Sequence, residues 1–289
     1  MKLTLSKRRL WLDRVFVFVT GGATVLGLAL LFLIFFKVLL SGKDAISWGF
    51  LTEQTKDGGG SGGIFYQICG TLILSASAAF MATPLSLALA LLQSEYLKRP
   101  VFRRGIKTLL YLMNGVPSII FGVFGYFVLV SAAGFQKSWL VGGIVLALMI
   151  LPTVTISVSD AIKRIPKNDR DAATALGLNA PKVIWSLILP YSLNGLVTGL
   201  LLGLARAAGE TAPIMFTAAV ASGAELPTGI VDSPVVAIPY HILELALDAS
   251  TTEKLTNAWG SALVLMFASV LFSILGWLVR QRSFQENQR

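Results

Sequence analysis

Arg206 and Glu210 stand four residues apart in RAAGETAP, directly after LPYSLNGLVTGLLLGLA, seventeen residues without a charge. At that spacing the two side chains lie about 40° apart around a helix and can meet. A charge near mid-bilayer costs roughly 2.5–3.5 kcal/mol on insertion scales, so it must face the protein interior and have a partner or a task. Two chemistries fit. In one, the pair neutralises itself and staples neighbouring helices. In the other, Arg206 is a transient anion station, because its planar fork suits a tetrahedral oxyanion. Glu210 then holds the fork and weakens its grip, so that the station releases what it binds. If the helix enters the bilayer near Pro190, Arg206 lies about 24 Å along it. That depth is beyond the midplane, toward the outer leaflet.

The elements that must carry this pair are membrane helices. The chain has 289 residues, 55% hydrophobic and only 13% charged, with a mean hydropathy of +0.74. Too few charges remain to cover a soluble surface. Six apolar segments are long enough to span about 30 Å of hydrocarbon: 15–40, 64–92, 108–133, 138–159, 187–220 and 258–279. The first reads as a retained helix, not a cleaved signal. The fifth exceeds one straight span, and Pro213 gives a reason for a break. Eighteen of the 24 basic residues fall in the N-terminal tail, the loops after the second and fourth segments, and the C-terminal tail. Both termini are therefore expected in the cytoplasm, with those loops against anionic headgroups. The expected organisation is a tail over 1–14, a six-helix domain over 15–280 with a connecting loop at 160–186, and a tail over 281–289. The fold class is all-α membrane.

Further residues could line a path. NGVPSIIFGVFG carries Pro117 near the start of an apolar run, which predicts a break there. Broken helices at membrane depth line a cavity or pack against protein. Asn114 and Ser118 flank that break and could face a translocation path, and Gly122 and Gly125 permit close helix contact. Thr153, Thr155, Ser157 and Ser159 recur every second residue, so most are expected to bond backbone carbonyls one turn earlier. KDGGGSGGIF predicts a flexible hinge. Its match to G-x-S-x-G lacks the strand, helix and nearby His of a nucleophile elbow. PVVAIPYHILELALD predicts an amphipathic outer helix with Ile242, Leu245 and Ala246 on one side and the single histidine, His241, at a surface or interface. Cys69 is the only cysteine and reads as packing. There is no metal-ligand spacing, no metal or other cofactor is expected, and there is no phosphate loop for ATP, so any ATP is hydrolysed by another chain.

The loop after the fourth segment, KRIPKNDRDAATALGLNAPKVIWSLILP, predicts a short helix over 169–176, a stop at Gly177 and a new start at Asn179 and Pro181. The small Ala172–Ala173 face leaves room for a partner surface. Asp171-Ala172-Ala173, three residues, Gly177, nine residues, then Leu187-Ile188-Leu189-Pro190 resembles the permease signature of ABC importers that work with external binding proteins. Asp171 stands for the usual Glu and Leu187 for Ile. The resemblance implies a type I importer (MetI-like) permease fold. It also implies that Asp171, Ala172, Ala173 and Gly177 seat in a groove of the ATPase subunit.

RAAGE in this position resembles oxyanion permeases generally. Thr211-Ala212-Pro213, GVPSIIFGVFG and GGIFYQICGTL (62–72) resemble the phosphate-specific permeases of the PstA type. The substrate path implied runs past Arg206, Glu210, Thr211, Asn114 and Ser118. On phosphate, Glu210 could also accept a proton-bearing oxygen that fully ionised sulfate lacks. The partners implied are a homologous second permease (PstC-like), an ATPase dimer (PstB-like) and an extracytoplasmic phosphate-binding protein (PstS-like), in the inner membrane of a bacterial cell. The alternatives are a molybdate or sulfate permease and a stand-alone anion channel, which would not need the Asp171–Gly177 socket. A membrane-embedded enzyme would show a clustered nucleophile and base, and none is present.

Overall fold

The computed structural model describes residues 7–97, 99–219 and 226–286. It is built almost wholly of helices. The principal ones are α1 (Lys7–Gly42), α2 (Phe65–Leu91), α3 (Pro100–Gly115), α4 (Ser118–Gly125), α5 (Trp139–Lys163), α6 (Lys167–Ala175), α7 (Ala180–Ala207), α8 (Ala212–Thr217), α9 (Ile238–Leu247) and α10 (Thr252–Glu286). Five of them, α1, α2, α5, α7 and α10, are long and apolar enough to cross a membrane. The α3–α4 pair makes a sixth span only if its bent halves are counted together. The six expected segments are thus all present, but the third is not a straight rod.

The cause of that bend is local. Pro117 locks its own φ and disfavours the helical region for Val116, which sits at φ −70°, ψ 131°. The chain turns by 97° there. The fifth segment breaks as well. α7 ends at Ala207, and α8 restarts at Ala212 with Pro213 in its first turn, where a missing N–H is tolerated. The break precedes Pro213; Val220, the last residue expected in this segment, lies outside the described residues.

α5 is the spine. Ser138 caps it by accepting from Val141 N at 3.4 Å, and 72% of its most apolar stretch is buried, against none for α1 and 6% for α10. α2 and α7 flank it. In lipid, apolar surface gives little drive for association, so close backbone approach through small residues matters most. Gly143 lies against Ser77 and Ala78 of α2. A Cβ at Gly199 of α7 would stand 2.8 Å from Ser157 Cβ and 3.0 Å from Val154 Cα. Gly122 of α4 sits equally close to Pro213 Cα of α8, at 2.9 Å for the same hypothetical Cβ. Glycines 122 and 125 therefore serve the close contacts expected of them.

One end of the bundle is closed by a small hairpin. Thr55–Lys56 pairs antiparallel with Ser61–Gly62. The glycines here do not make a loose hinge. Gly58, Gly59 and Gly62 have φ of 59°, 91° and 77°, where side chains are strained. The turn is tied down by Asn257 Nδ2 donating to Gly59 O at 2.8 Å, and Gln67 Nε2 donating to Thr55 Oγ1 at 2.7 Å. α9 forms as expected, with its buried face shifted. His241 and Leu245 are each 1% exposed, while Ala246 is exposed. His241 is thus a core residue, not a surface one. At the opposite end, α6 and the start of α7 form the connecting loop.

Candidate functional site

The two helix breaks are brought together where α4 packs on α8, Gly122 lying against Ala212 and Pro213. Asn114 is the penultimate residue of α3. Its Oδ1 accepts from Arg206 Nη1 at 3.0 Å and from Thr153 Oγ1 of α5 at 3.4 Å. Arg206 is the penultimate residue of α7, and its Nε lies 3.5 Å from Glu210 Oε1. The i, i+4 pairing survives the helix end because the chain continues in 3₁₀-like turns: Gly209 N donates to Arg206 O and Glu210 N to Ala207 O. Asn114, from a distant part of the chain, thus meets Glu210 around one guanidinium, with Thr153 behind Asn114.

Thr153 corrects an expectation. Of the four alternating hydroxyls, only Thr155 bonds its own helix among the described residues, to Leu151 O at 2.7 Å. Thr153 turns to Asn114 instead. Asn114 thus links the guanidinium to Thr153, ten residues before the end of α5 at Lys163. Ser118 and Thr211 are half-buried at the two breaks. Among the described residues neither bonds to this cluster.

The Arg206 side chain is 34% exposed and that of Glu210 15%. Arg206 also lines a shallow groove of about 530 Å³ against α10, with Ser269, Ser273 and Trp277. Among the described residues its partners are Asn114 and Glu210, through Nη1 and Nε, which leaves Nη2 available to a further acceptor. A guanidinium so exposed on a membrane helix cannot face lipid cheaply. The arrangement can receive an oxyanion at a face the chain does not close by itself.

The second constellation is the connecting loop. α6 has no buried residue. It ends in a Schellman motif: Leu178 N donates to Ala173 O at 3.2 Å and Gly177 N to Thr174 O at 2.9 Å. Gly177 occupies the left-handed position at φ 77°. Asn179 then caps α7 by accepting from Lys182 N at 3.2 Å. Asp171 and Ala172 are exposed and Ala173 is half-buried, so the small face is available to a partner. The helix is fixed from behind by Arg170, which donates to Glu95 Oε1 at 2.9 Å and to Ile162 O at 3.1 Å. Sequence reasoning missed Glu95. Its signal was a lone carboxylate in LLQSEYLKRP, otherwise apolar and basic.

Residues 82–283 match the family described as binding-protein-dependent transport system inner membrane component. The chain is 35% identical over 260 residues to a probable phosphate transport system permease protein PstA of Methanocaldococcus jannaschii, covering 88% of each. It is 29% identical to the phosphate transport system permease protein PstA of Yersinia pestis, covering 92% of this chain and 89% of that one. Its fold is similar to a chain of a bacterial alginate ABC transporter crystallised with an alginate-bound periplasmic protein. There the TM-score is 0.61 at 18% identity, over 96% of this chain and 98% of that one. With the signature loop folded as an exposed, capped helix and the bundle arranged as in a solved importer, the chain belongs to the binding-protein-dependent transport system inner membrane components, among the PstA-type permeases.

Proposed function

We propose that this chain is one membrane half of an importer that passes inorganic phosphate into the cytoplasm, driven by ATP hydrolysed on a separate chain. The observation that carries the reading is the Asn114–Arg206–Glu210 cluster, a partly exposed guanidinium held between two broken spans. A second permease subunit closes that face, so that the path runs between the two. Phosphate delivered by an extracytoplasmic binding protein meets the free edge of the guanidinium. Glu210 keeps the fork oriented, competes with the anion, and accepts a proton-bearing oxygen. Asn114 shares the guanidinium, so the grip stays weak enough to let go. Ser118 and Thr211 stand at the breaks as further contacts. The relatives named as phosphate permeases support the choice of anion.

In this reading Asp171, Ala172, Ala173 and Gly177 meet the ATPase in the cytoplasm. The basic residues clustered at that end support this orientation, with both termini inside. Glu95 holding Arg170 passes movement of α6 into α2.

The test is uptake of radiolabelled phosphate by cells with and without this gene under phosphate starvation, with unlabelled sulfate and molybdate as competitors. Loss of high-affinity uptake that ignores both competitors is expected. Intact phosphate uptake with lost sulfate or molybdate uptake overturns the choice of anion.

A further inference from the structure

A cavity of about 90 Å³ lies between the end of α2, α3 and α5, apart from the Arg206 cluster. One water needs only about 10–15 Å³ on this measure, so the space suits a group of several oxygens. Two of its lining residues, Gln93 and Ser159, are each only 8% exposed. Gln93 Nε2 and Ser159 Oγ have no hydrogen-bond partner among the described residues. Buried polar groups are nearly always satisfied, and an amide N–H₂ can be satisfied only by an acceptor.

The mouth indicates which acceptor. Arg103 and Lys107 of α3 and Lys163 of α5 line it with a single carboxylate, Asp160. Asp160 is held by Lys163 at 2.8 Å, so Arg103 and Lys107 remain as net positive charge. Lys107 Nζ stands 5.7 Å from the centre of the Tyr111 ring, over its face. Buried donors beneath a cationic rim match a phosphate group: oxygens accept inside, and charge is met at the edge.

We propose that this cavity binds a phosphate group, carried either by an anionic lipid or as free inorganic phosphate. The site adjoins the coupling loop. Gln93 shares a π-helical turn, Leu92–Tyr96, with Glu95, which holds Arg170 of α6. An occupied cavity braces that turn, and so biases the joint through which α6 acts. The site stands on its own lining; its placement on the cytoplasmic side alone rests on the function proposed above.

The experiment uses the full chain in nanodiscs. One arm measures binding of radiolabelled inorganic phosphate in phosphatidylcholine. The other measures phosphatidylglycerol retained by the chain in mixed discs, read by native mass spectrometry. Each arm is run on the parent chain, on Gln93→Leu/Ser159→Ala, on Arg103→Gln/Lys107→Gln, and on Arg206→Gln. The expected result is a tenfold or greater loss of one ligand in both cavity variants, with that binding kept in Arg206→Gln. Arg103 and Lys107 are exposed, so their variant tests the site even if the buried one misfolds. If neither ligand's binding changes in the exposed variant, the cavity is not an anion site. Loss of phosphate binding confined to Arg206→Gln overturns the cavity and leaves the path intact. Loss confined to the cavity variants supports the cavity, and the uptake assay then decides the path on its own.

Discussion

The Asn114 amide oxygen accepts from Arg206 across 92 residues of sequence, at 3.0 Å, and ties the broken third segment to the end of α7. A hydrogen bond to a charged group contributes about 1.5–3 kcal/mol. Asn114→Leu should therefore free the guanidinium to collapse onto Glu210. Phosphate uptake should fall about tenfold or more while the amount of chain in the membrane holds. Asn114→Asp should also lower turnover, by adding a second carboxylate that competes with the anion. Uptake assays with membrane immunoblots check both.

Glu210→Gln and Arg206→Lys separate station from staple. If the pair only pins helices, both variants should lower the melting temperature and leave selectivity alone. The functional reading expects Glu210→Gln to change phosphate uptake several-fold and Arg206→Lys to lose the fork geometry. Unchanged uptake and selectivity in both would leave the staple alone.

The ion pair between Glu95 and Arg170 is only partly exposed, with side chains at 20% and 29%. Glu95→Gln should uncouple: ATP hydrolysis by the assembled transporter persists while uptake drops about fivefold or more. The exchange Glu95→Arg with Arg170→Glu should recover a substantial part of the uptake. The ratio of ATP hydrolysed to phosphate taken up is the measurement.

Gly177 at φ 77° ends α6, with open space around it. Gly177→Ala meets no clash, so its cost is backbone strain of about 1 kcal/mol. Gly177→Asn should restore most of the loss, because Asn tolerates the left-handed region. Complex assembly with the ATPase reports both.

Burial lowers the His241 pKa from 6.5 to about 4. The folded state therefore binds fewer protons than the unfolded chain between those values, and stability falls as pH drops through that window. The full effect is about 3 kcal/mol, present above pH 6.5 and lost by about pH 4. Thermal unfolding from pH 7 to 4 should show the step in the parent chain and lose most of it in His241→Leu.

The spans, the break at Pro117 and the α6–Gly177–Asn179 sequence were legible because each has a local cause: hydropathy, a proline, a left-handed glycine, an Asn cap. Arg206 and Glu210 were legible because charge is rare in such a stretch. Thr153 and Glu95 were not, since their partners lie across the fold and no spacing announces a tertiary hydrogen bond. The glycine-rich turn misled for a related reason. Composition reads as looseness, whereas positive φ and the Asn257 contact hold that turn in place. His241 was misplaced because its face of α9 is covered by Gly59 and its neighbours, a packing that helix periodicity does not contain.

The exposed edge of Arg206 also bears on how cells handle the chain before it is part of anything. A copy without a covering partner leaves about a third of the Arg206 side chain uncovered, at some part of the roughly 2.5–3.5 kcal/mol that a charge in hydrocarbon costs. If a second subunit covers that face, as proposed above, a copy made without it should turn over faster in the membrane, and co-expression of the partner should slow that turnover.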